Sequence, residues 1–395
     1  MKFKVSLKEL NQALQKVSPA LPKKSPLPIL EHFYFILEGD ILKIIASDQK
    51  ITIMNQIVVE PNEDGKVLVP GKRIMDIIRA LEDSEEFTFS SDEDTFNISI
   101  KTAYGKYSMK GLDPVEFLDL PELFQSEKPD ITKLLDNLNE EARKNAALIS
   151  MKDITWASER TYFCAAKDDF KLAMTGVFFQ FVGDKLNLVA TDGFRLTKAT
   201  IFADGHNVFP KDLGVIVPAE TVELLRKVDD DVLISFVRSE DEITHIRFDV
   251  GNTVIISRRI AETYPKYENV IPTDNPYKLK LNKKDIIPAL RRVALFASSF
   301  HKLIKFQISA EAMILTGQDE DQGTQAQETV PCEFNNENFE IGFNYELFLE
   351  AIENMEVDGD NEIAFIEMSG PTKPVVFRPS ENDERLLMLV MPMRI

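Results

Sequence analysis

Histidine, cysteine and tryptophan are scarce in this sequence, with four, two and one among 395 residues. The histidines His32, His206, His245 and His301 are scattered and show no metal-ligand spacing. Two thiols, Cys164 and Cys332, build neither a disulfide framework nor a four-ligand zinc site. They are expected to be ordinary reduced thiols of a cytoplasmic protein. No apolar run approaches the ~18 residues of a membrane span. The opening MKFKVSLKEL alternates apolar and polar residues and lacks a signal-peptide core. A soluble, cytoplasmic protein without membrane contact is expected. Gly71-Lys72-Arg73 lacks the upstream glycine and the Ser or Thr of a phosphate-binding loop. Asp319, Asp321 and Gly323 do not reproduce a calcium loop, and no serine sits in a nucleophile elbow. No catalytic residue, metal or cofactor is expected.

Positive charge is also short. Lys and Arg number 46 against 65 Asp and Glu, a formal net charge of −19. That balance alone argues against a nucleic-acid binder, because DNA affinity comes mostly from cations that neutralise phosphates. Helix-turn-helix and zinc-finger spacings are missing, as is a basic groove rich in aromatics. Whatever the chain does with nucleic acid, it is not built to read sequence.

Apolar residues are plentiful at 44%, and the length suits two or three domains. Three elements recur in one order. Val5-Ser6-Leu7-Lys8-Glu9-Leu10, Ile149-Ser150-Met151-Lys152-Asp153-Ile154 and Leu281-Asn282-Lys283-Lys284-Asp285-Ile286 each pair a Ser or Asn with an acid three residues on. An apolar residue flanks each side. This is the capping-box and hydrophobic-staple pattern of a strand entering a helix. Pro288 falls about two turns into the third copy and predicts a kinked or irregular start there. The second element is a β-rich run closing on Asp48, Asp192 or Asp319. The third is a short strand feeding an amphipathic helix: Val67–Pro70, Val215–Pro218 and Ile341–Asn344. The reading is α+β: three domains of one topology, each with two helices packed on antiparallel sheets. The boundaries expected are 1–122, 146–272 and 273–395. Residues 123–145 are a linker or insertion, and Ile131, Leu134, Leu135 and Leu138 fall at the spacing of a short amphipathic helix.

The six expected helices are 7–18, 72–81, 151–167, 219–228, 283–295 and 345–355. They carry a net +4, which leaves −23 on the rest of the chain. Their cations include Lys72, Arg73 and Arg79, then Lys283, Lys284, Arg291 and Arg292. Lys23 and Lys24 add a basic loop. Two readings account for this equally well. The cations are solvated helix faces, or the helices face a polyanion while acidic sheets face outward. Screening over ~8 Å at physiological salt makes the second workable. The helix holding Glu346, Glu350 and Glu353 does not fit it.

Leu188-Val189-Ala190-Thr191-Asp192-Gly193-Phe194-Arg195-Leu196 resembles a hallmark loop of the bacterial DNA sliding clamps, the beta subunits of DNA polymerase III. Tyr264-Pro265-Lys266-Tyr267-Glu268-Asn269-Val270-Ile271-Pro272, Leu27-Pro28-Ile29-Leu30 and the terminal Val390-Met391-Pro392-Met393-Arg394-Ile395 carry the same resemblance. It extends over nearly the whole chain. It implies a head-to-tail homodimer of three-domain subunits with the DNA-clamp fold. The ring encircles double-stranded DNA as a processivity factor, with helices lining the hole and Lys23, Lys24, Lys72, Arg73, Arg79, Lys283, Lys284, Arg291 and Arg292 as its DNA-facing cations. It also implies that the replicative polymerase, clamp-loader subunits and other clamp-motif peptides dock in an apolar cleft.

By that resemblance the cleft takes Met174, Thr191, Gly193, Phe194, Arg195 and Leu196 from the second domain, with Pro265 and Val270. Asn344, Leu347, Val390, Met391, Pro392, Met393, Arg394 and Ile395 come from the third. Met391 and Met393 are flexible and polarizable, which suits several different ligands. A terminal edge strand packed on its own domain is the alternative. Asn269 stands where many members carry Arg, Leu347 where some carry Tyr, and Phe194 replaces a frequent His. These departures bear on which peptide side chains the cleft prefers. The competing functional reading is a peptide-binding scaffold that never encircles DNA; an acidic hydrolase is a third.

Overall fold

Alternation decides the first element. Along the strand Lys2–Ser6, Phe3 and Val5 are buried while Lys2, Lys4 and Ser6 are exposed. The period changes at Leu7. From there Leu7, Leu10, Ala13, Leu14 and Val17 form the buried stripe of helix α1 (Leu7–Val17). The computed structural model describes residues 1–81, 86–117, 146–240, 242–336, 338–355, 362–381 and 383–395. Among these residues five further α-helices occur: α2 (Gly71–Arg79), α3 (Met151–Thr161), α4 (Ala219–Leu225), α5 (Lys283–Ala294) and α6 (Tyr345–Glu353). The amphipathic helix expected within 123–145 lies outside the described residues. No described helix is long and apolar enough to cross a membrane.

The helix entries follow the sequence pattern in place but not in detail. Ser6 makes no side-chain cap bond. Asn282 caps α5 through the Lys284 N–H at 2.9 Å, one residue earlier than a capping box requires. Asp153 accepts from Asn207 at 2.9 Å and Arg385 at 3.0 Å. α5 runs unbroken through Pro288, contrary to the expected irregular start. The bond that the proline forfeits falls on the exposed side of the helix. α3 stops at Thr161, six residues short of expectation, and a 3-10 turn Tyr162–Cys164 follows. The Thr161 hydroxyl donates to the Ala157 carbonyl at 2.7 Å, a back-bond that competes with helix propagation.

The repeat is clearest at three turns. The Asp48 carboxylate accepts from the N–H groups of Lys50 and Ile51, that of Asp192 from Phe194 and Arg195, and that of Asp319 from Asp321 and Gln322. The same side chain makes the same turn three times. Isolated bridges repeat as well: Leu68 with Leu112, Ile216 with Ile260, Gly342 with Met393.

Residues Met1–Met151 with Val228–Arg259 form one unit, and Lys152–Lys227 with Ile260–Ile395 another. The first holds a five-stranded sheet ordered Glu60–Glu63, Lys2–Ser6, Glu86–Ser91, Asn97–Lys101, Lys106–Lys110. Its eight-stranded sheet joins strands of two repeats where Thr253–Arg258 pairs antiparallel with Ile51–Val58, Val254 opposite Met54. At the core Phe89 stacks on Phe3 and meets Phe35 at a tilt, with ring centroids 5.1 and 5.5 Å apart. The second unit makes the same kind of join between Arg195–Phe202 and Leu386–Val390, with Leu196 opposite Leu389. Its four-stranded sheet is ordered Thr324–Pro331, Ala312–Asp319, Leu303–Ile308, Phe339–Asn344. Phe306, Phe343, Phe348 and Phe377 fill the core beside it. Among the described residues, Lys106–Lys110 and Thr324–Pro331 each end a sheet with one side unpaired.

Candidate functional site

The cleft residues expected from the sequence all fall in the second unit, around the join between Arg195–Phe202 and Leu386–Val390. A turn shapes one wall. Thr191 Oγ donates to the Arg195 carbonyl at 2.6 Å and accepts from the Gly193 N–H at 3.1 Å. Gly193 has φ +93°, a left-handed backbone that a side chain would strain. Phe194 at the tip is 65% exposed, and its carbonyl accepts from the Met391 N–H at 2.8 Å.

The terminal segment is pinned at a second point. Met393 N–H donates to the Gly342 carbonyl at 2.8 Å. Pro392 lies between the two pinned residues and has no N–H to satisfy there. A Cβ on Gly342 would stand 2.9 Å from Leu303 Cδ1, 3.0 Å from the Met393 carbonyl oxygen and 3.1 Å from Ile395 Cγ1. Only glycine lets the tail lie this close. Arg394 and Ile395 remain exposed.

The strand Leu386–Val390 alternates, so its two faces serve different surfaces. Leu387 and Leu389 join Leu196, Val189, Tyr264 and Tyr267 in one apolar cluster, with Met391 packed against it. Tyr264 stacks on Phe178 at 4.9 Å, and its hydroxyl donates to the Val189 carbonyl at 3.1 Å. Pro265 lies between these tyrosines in sequence, and Val270, just beyond, is half exposed. Met174 is half-buried, and its carbonyl accepts from the Ala166 N–H. A small pocket of about 10 Å³ is lined by Arg195, Leu347 and Val390 together with Leu196, Leu389, Phe163, Cys164, Thr197, Ala351 and Met388. Asn344 caps α6 through the Glu346 N–H at 3.0 Å and so sets the start of the helix that carries Leu347.

The structure therefore brings Leu196 and Met391 together in one apolar cluster, and Leu196 again with Arg195, Leu347 and Val390 around the pocket. Phe163, Cys164, Thr197, Ala351 and Met388 were not expected at the site. Alternation along the last strand is the signal that would have found Met388, two residues from Val390. Burial pushes the Cys164 thiol up to about 12, so it stays protonated beside Thr197. Burial likewise raises Tyr264 well above the usual phenol range. Among the described residues no cluster of three His, Cys, Asp or Glu side chains is placed to hold a metal.

The expected DNA-facing cations divide between the units. In the first, Lys23, Lys24, Lys72 and Arg73 are exposed and have no side-chain partner among the described residues. Arg79 faces Asp76 at 3.9 Å. In the second, Arg292 holds Glu328 with two bonds of 2.7 and 2.8 Å, Arg291 holds Glu353 at 2.5 Å, and Lys284 lies 3.5 Å from Glu362. Lys283 is half-buried and donates to the Met355 carbonyl at 2.6 Å. Burial lowers its ammonium below the usual lysine range.

Profiles of the N-terminal, central and C-terminal domains of the DNA polymerase III beta subunit match residues 1–121, 149–266 and 268–394. The Beta sliding clamp of Pseudomonas aeruginosa is 24% identical over the full length of both chains. That of Staphylococcus epidermidis is 26% identical, covering 98% of this chain and 97% of its own. The fold is shared with the sliding clamp of Bartonella birtlesii, solved bound to griselimycin, at TM-score 0.86, 24% identity and full coverage of both chains. It is shared too with the beta subunit of Thermotoga maritima, at TM-score 0.84 and 21% identity, covering 100% of this chain and 99% of that one. Three turns of one design, two sheet joins of one kind and three consecutive domain matches agree: the chain belongs to the DNA polymerase III beta subunit family, with three domains of the clamp fold.

Proposed function

We propose that two copies of this chain close head to tail into a ring around duplex DNA. The ring slides without reading sequence and tethers the replicative polymerase, clamp-loader subunits and other clamp-motif peptides. It acts as a processivity factor without catalysis of its own, in the cytoplasm. The cleft built on Leu196, Met391 and Leu347 receives the partners, and Lys23, Lys24, Lys72 and Arg73 lead the contacts to phosphate.

One observation supports closure. Within the chain, the third strand of one repeat's first sheet pairs with the last strand of the next repeat's second sheet: Ile51–Val58 with Thr253–Arg258, Arg195–Phe202 with Leu386–Val390. The corresponding strands left over are Thr324–Pro331 and Lys106–Lys110. Carrying the rule one step further pairs Thr324–Pro331 of one protomer with Lys106–Lys110 of its partner. Such an interface is heterologous and stays finite only when the rotation closes. Apolar side chains stand ready beside both strands: Tyr104 on one side, Leu295 and Phe300 on the other, 94%, 82% and 87% exposed.

Sequence indifference follows from the chemistry. Phosphate contacts carry no base information, and one good base contact is worth ~1–3 kcal/mol of discrimination, enough to stall a sliding ring. Protein loaded on closed circular DNA is expected to persist and to escape once the circle is cut. Equal release from cut and uncut circles would refute the ring and leave the scaffold that binds peptides alone. Leu295→Asp is expected to convert a dimer of about 90 kDa into monomers of 44.9 kDa in scattering.

A further inference from the structure

We infer that Arg195 is a positioning residue for partner binding: it ties the cleft's turn to helix α6 through Glu350, and that tie sets partner affinity. The inference rests on the cleft reading above and adds the group that holds the cleft in shape.

The guanidinium is nearly buried, with its side chain 10% exposed. Nε donates to Asp192 at 3.1 Å, Nη1 to Glu350 and Nη2 to the Phe163 carbonyl at 2.9 Å. Its plane lies over the Phe163 ring at 5.4 Å. Asp192 spends its other oxygen on the N–H groups of Phe194 and Arg195. Phe194 in turn receives Met391. A continuous run of hydrogen bonds thus leads from Glu350 on α6, through Arg195 and Asp192, to the backbone that holds the terminal segment.

The chain supplies its own control. The turns at Asp48 and Asp319 fold with the same pair of carboxylate bonds, yet Ile51 and Gln322 occupy the place of Arg195. The turn therefore needs no guanidinium to form. What differs at the middle repeat is the cleft and the helix beside it. A forked donor that satisfies two carboxylates and a carbonyl at once fixes an orientation that lysine cannot reproduce. Glu350 itself stays out of the pocket lining, which α6 supplies through Leu347 and Ala351.

The test titrates the full-length dimer with griselimycin by calorimetry, alongside thermal melting. Glu350→Gln is expected to weaken binding about fivefold, the range of a partly exposed charge-assisted pair. Arg195→Lys should weaken it at least as much, because one ammonium cannot hold Asp192, Glu350 and the Phe163 carbonyl together. The double variant should be no weaker than the poorer single, because both act through one contact. Glu346→Gln removes a different ion pair from the same helix, with Lys302, and is expected to leave affinity unchanged. A structural role alone predicts equal losses from Glu346→Gln and Glu350→Gln in step with melting temperature; that result overturns the inference. Wild-type affinity in Glu350→Gln also overturns it. No binding by the wild type would remove the cleft reading, and this inference with it.

Discussion

Helices α2 and α5 look alike in formal charge and differ in usable charge. Each was expected to present cations to DNA. On α2, Lys72 and Arg73 stand exposed without side-chain partners among the described residues. On α5 every cation is already engaged, Arg291 with Glu353, Arg292 with Glu328, Lys284 with Glu362 and Lys283 with backbone carbonyls. The acidic helix that spoiled the charge pattern accounts for part of the difference, through Glu353, while Glu328 and Glu362 account for the rest. α6 packs on α5, and its three glutamates are matched by Lys302, Arg195 and Arg291. Counting lysines and arginines along a helix measures supply. Affinity for phosphate depends on what remains after neighbours take their share.

The comparison can be broken most sharply by reversing charge on α2. Lys72→Glu with Arg73→Glu is expected to weaken binding to a labelled primed duplex about tenfold at low salt and to flatten its salt dependence. Arg291→Glu with Arg292→Glu should cost less DNA affinity and more melting temperature, since each new carboxylate faces an old one. If the α5 pair costs more affinity, the comparison is wrong. Next in size is a gain. Glu328→Gln with Glu353→Gln frees both guanidinium groups and is expected to strengthen DNA binding about threefold in the same anisotropy assay. On α2, Asp76→Asn should change affinity less than about twofold, because Arg79 lies 3.9 Å from it and both are exposed.

The smallest effect is in pH. The Arg292 guanidinium beside Glu328 holds that carboxyl below its ordinary value of 4.5. A carboxyl depressed by folding stabilises the structure above its unfolded value and loses that contribution as pH falls through the lowered one. The DNA-affinity difference between wild type and Glu328→Gln should therefore be full at neutral pH and narrow below pH 4.5. A constant difference across that window would mean that the pair does not limit Arg292.

Much of the fold was legible because its signals are local. Asp48, Asp192 and Asp319 each close a turn through their own next residues, and buried stripes such as Leu7, Leu10 and Leu14 follow helical spacing. Helix ends were less legible where a side chain competed with the backbone, as Thr161 does. The ion pairs that neutralise α5 were invisible, since Glu328 and Glu353 lie 36 and 62 residues away in sequence. The site shows the same divide. Leu196 and Met391 came from recognisable segments, whereas nothing in the sequence singled out Phe163, and Cys164 read only as an ordinary reduced thiol. Spacing places the cations on the helices, but tertiary partners, which no spacing reveals, decide which of them already hold a carboxylate.

The strands Lys106–Lys110 and Thr324–Pro331, which the joining rule leaves over among the described residues, are unlike one another, and that has a consequence for assembly errors. A self-complementary patch is used up when two molecules meet. Here a pair that failed to close would still offer one free strand of each kind, and a third molecule could add at either end. Small changes in the angle at the internal sheet joins would then turn a finite particle into a growing fibre.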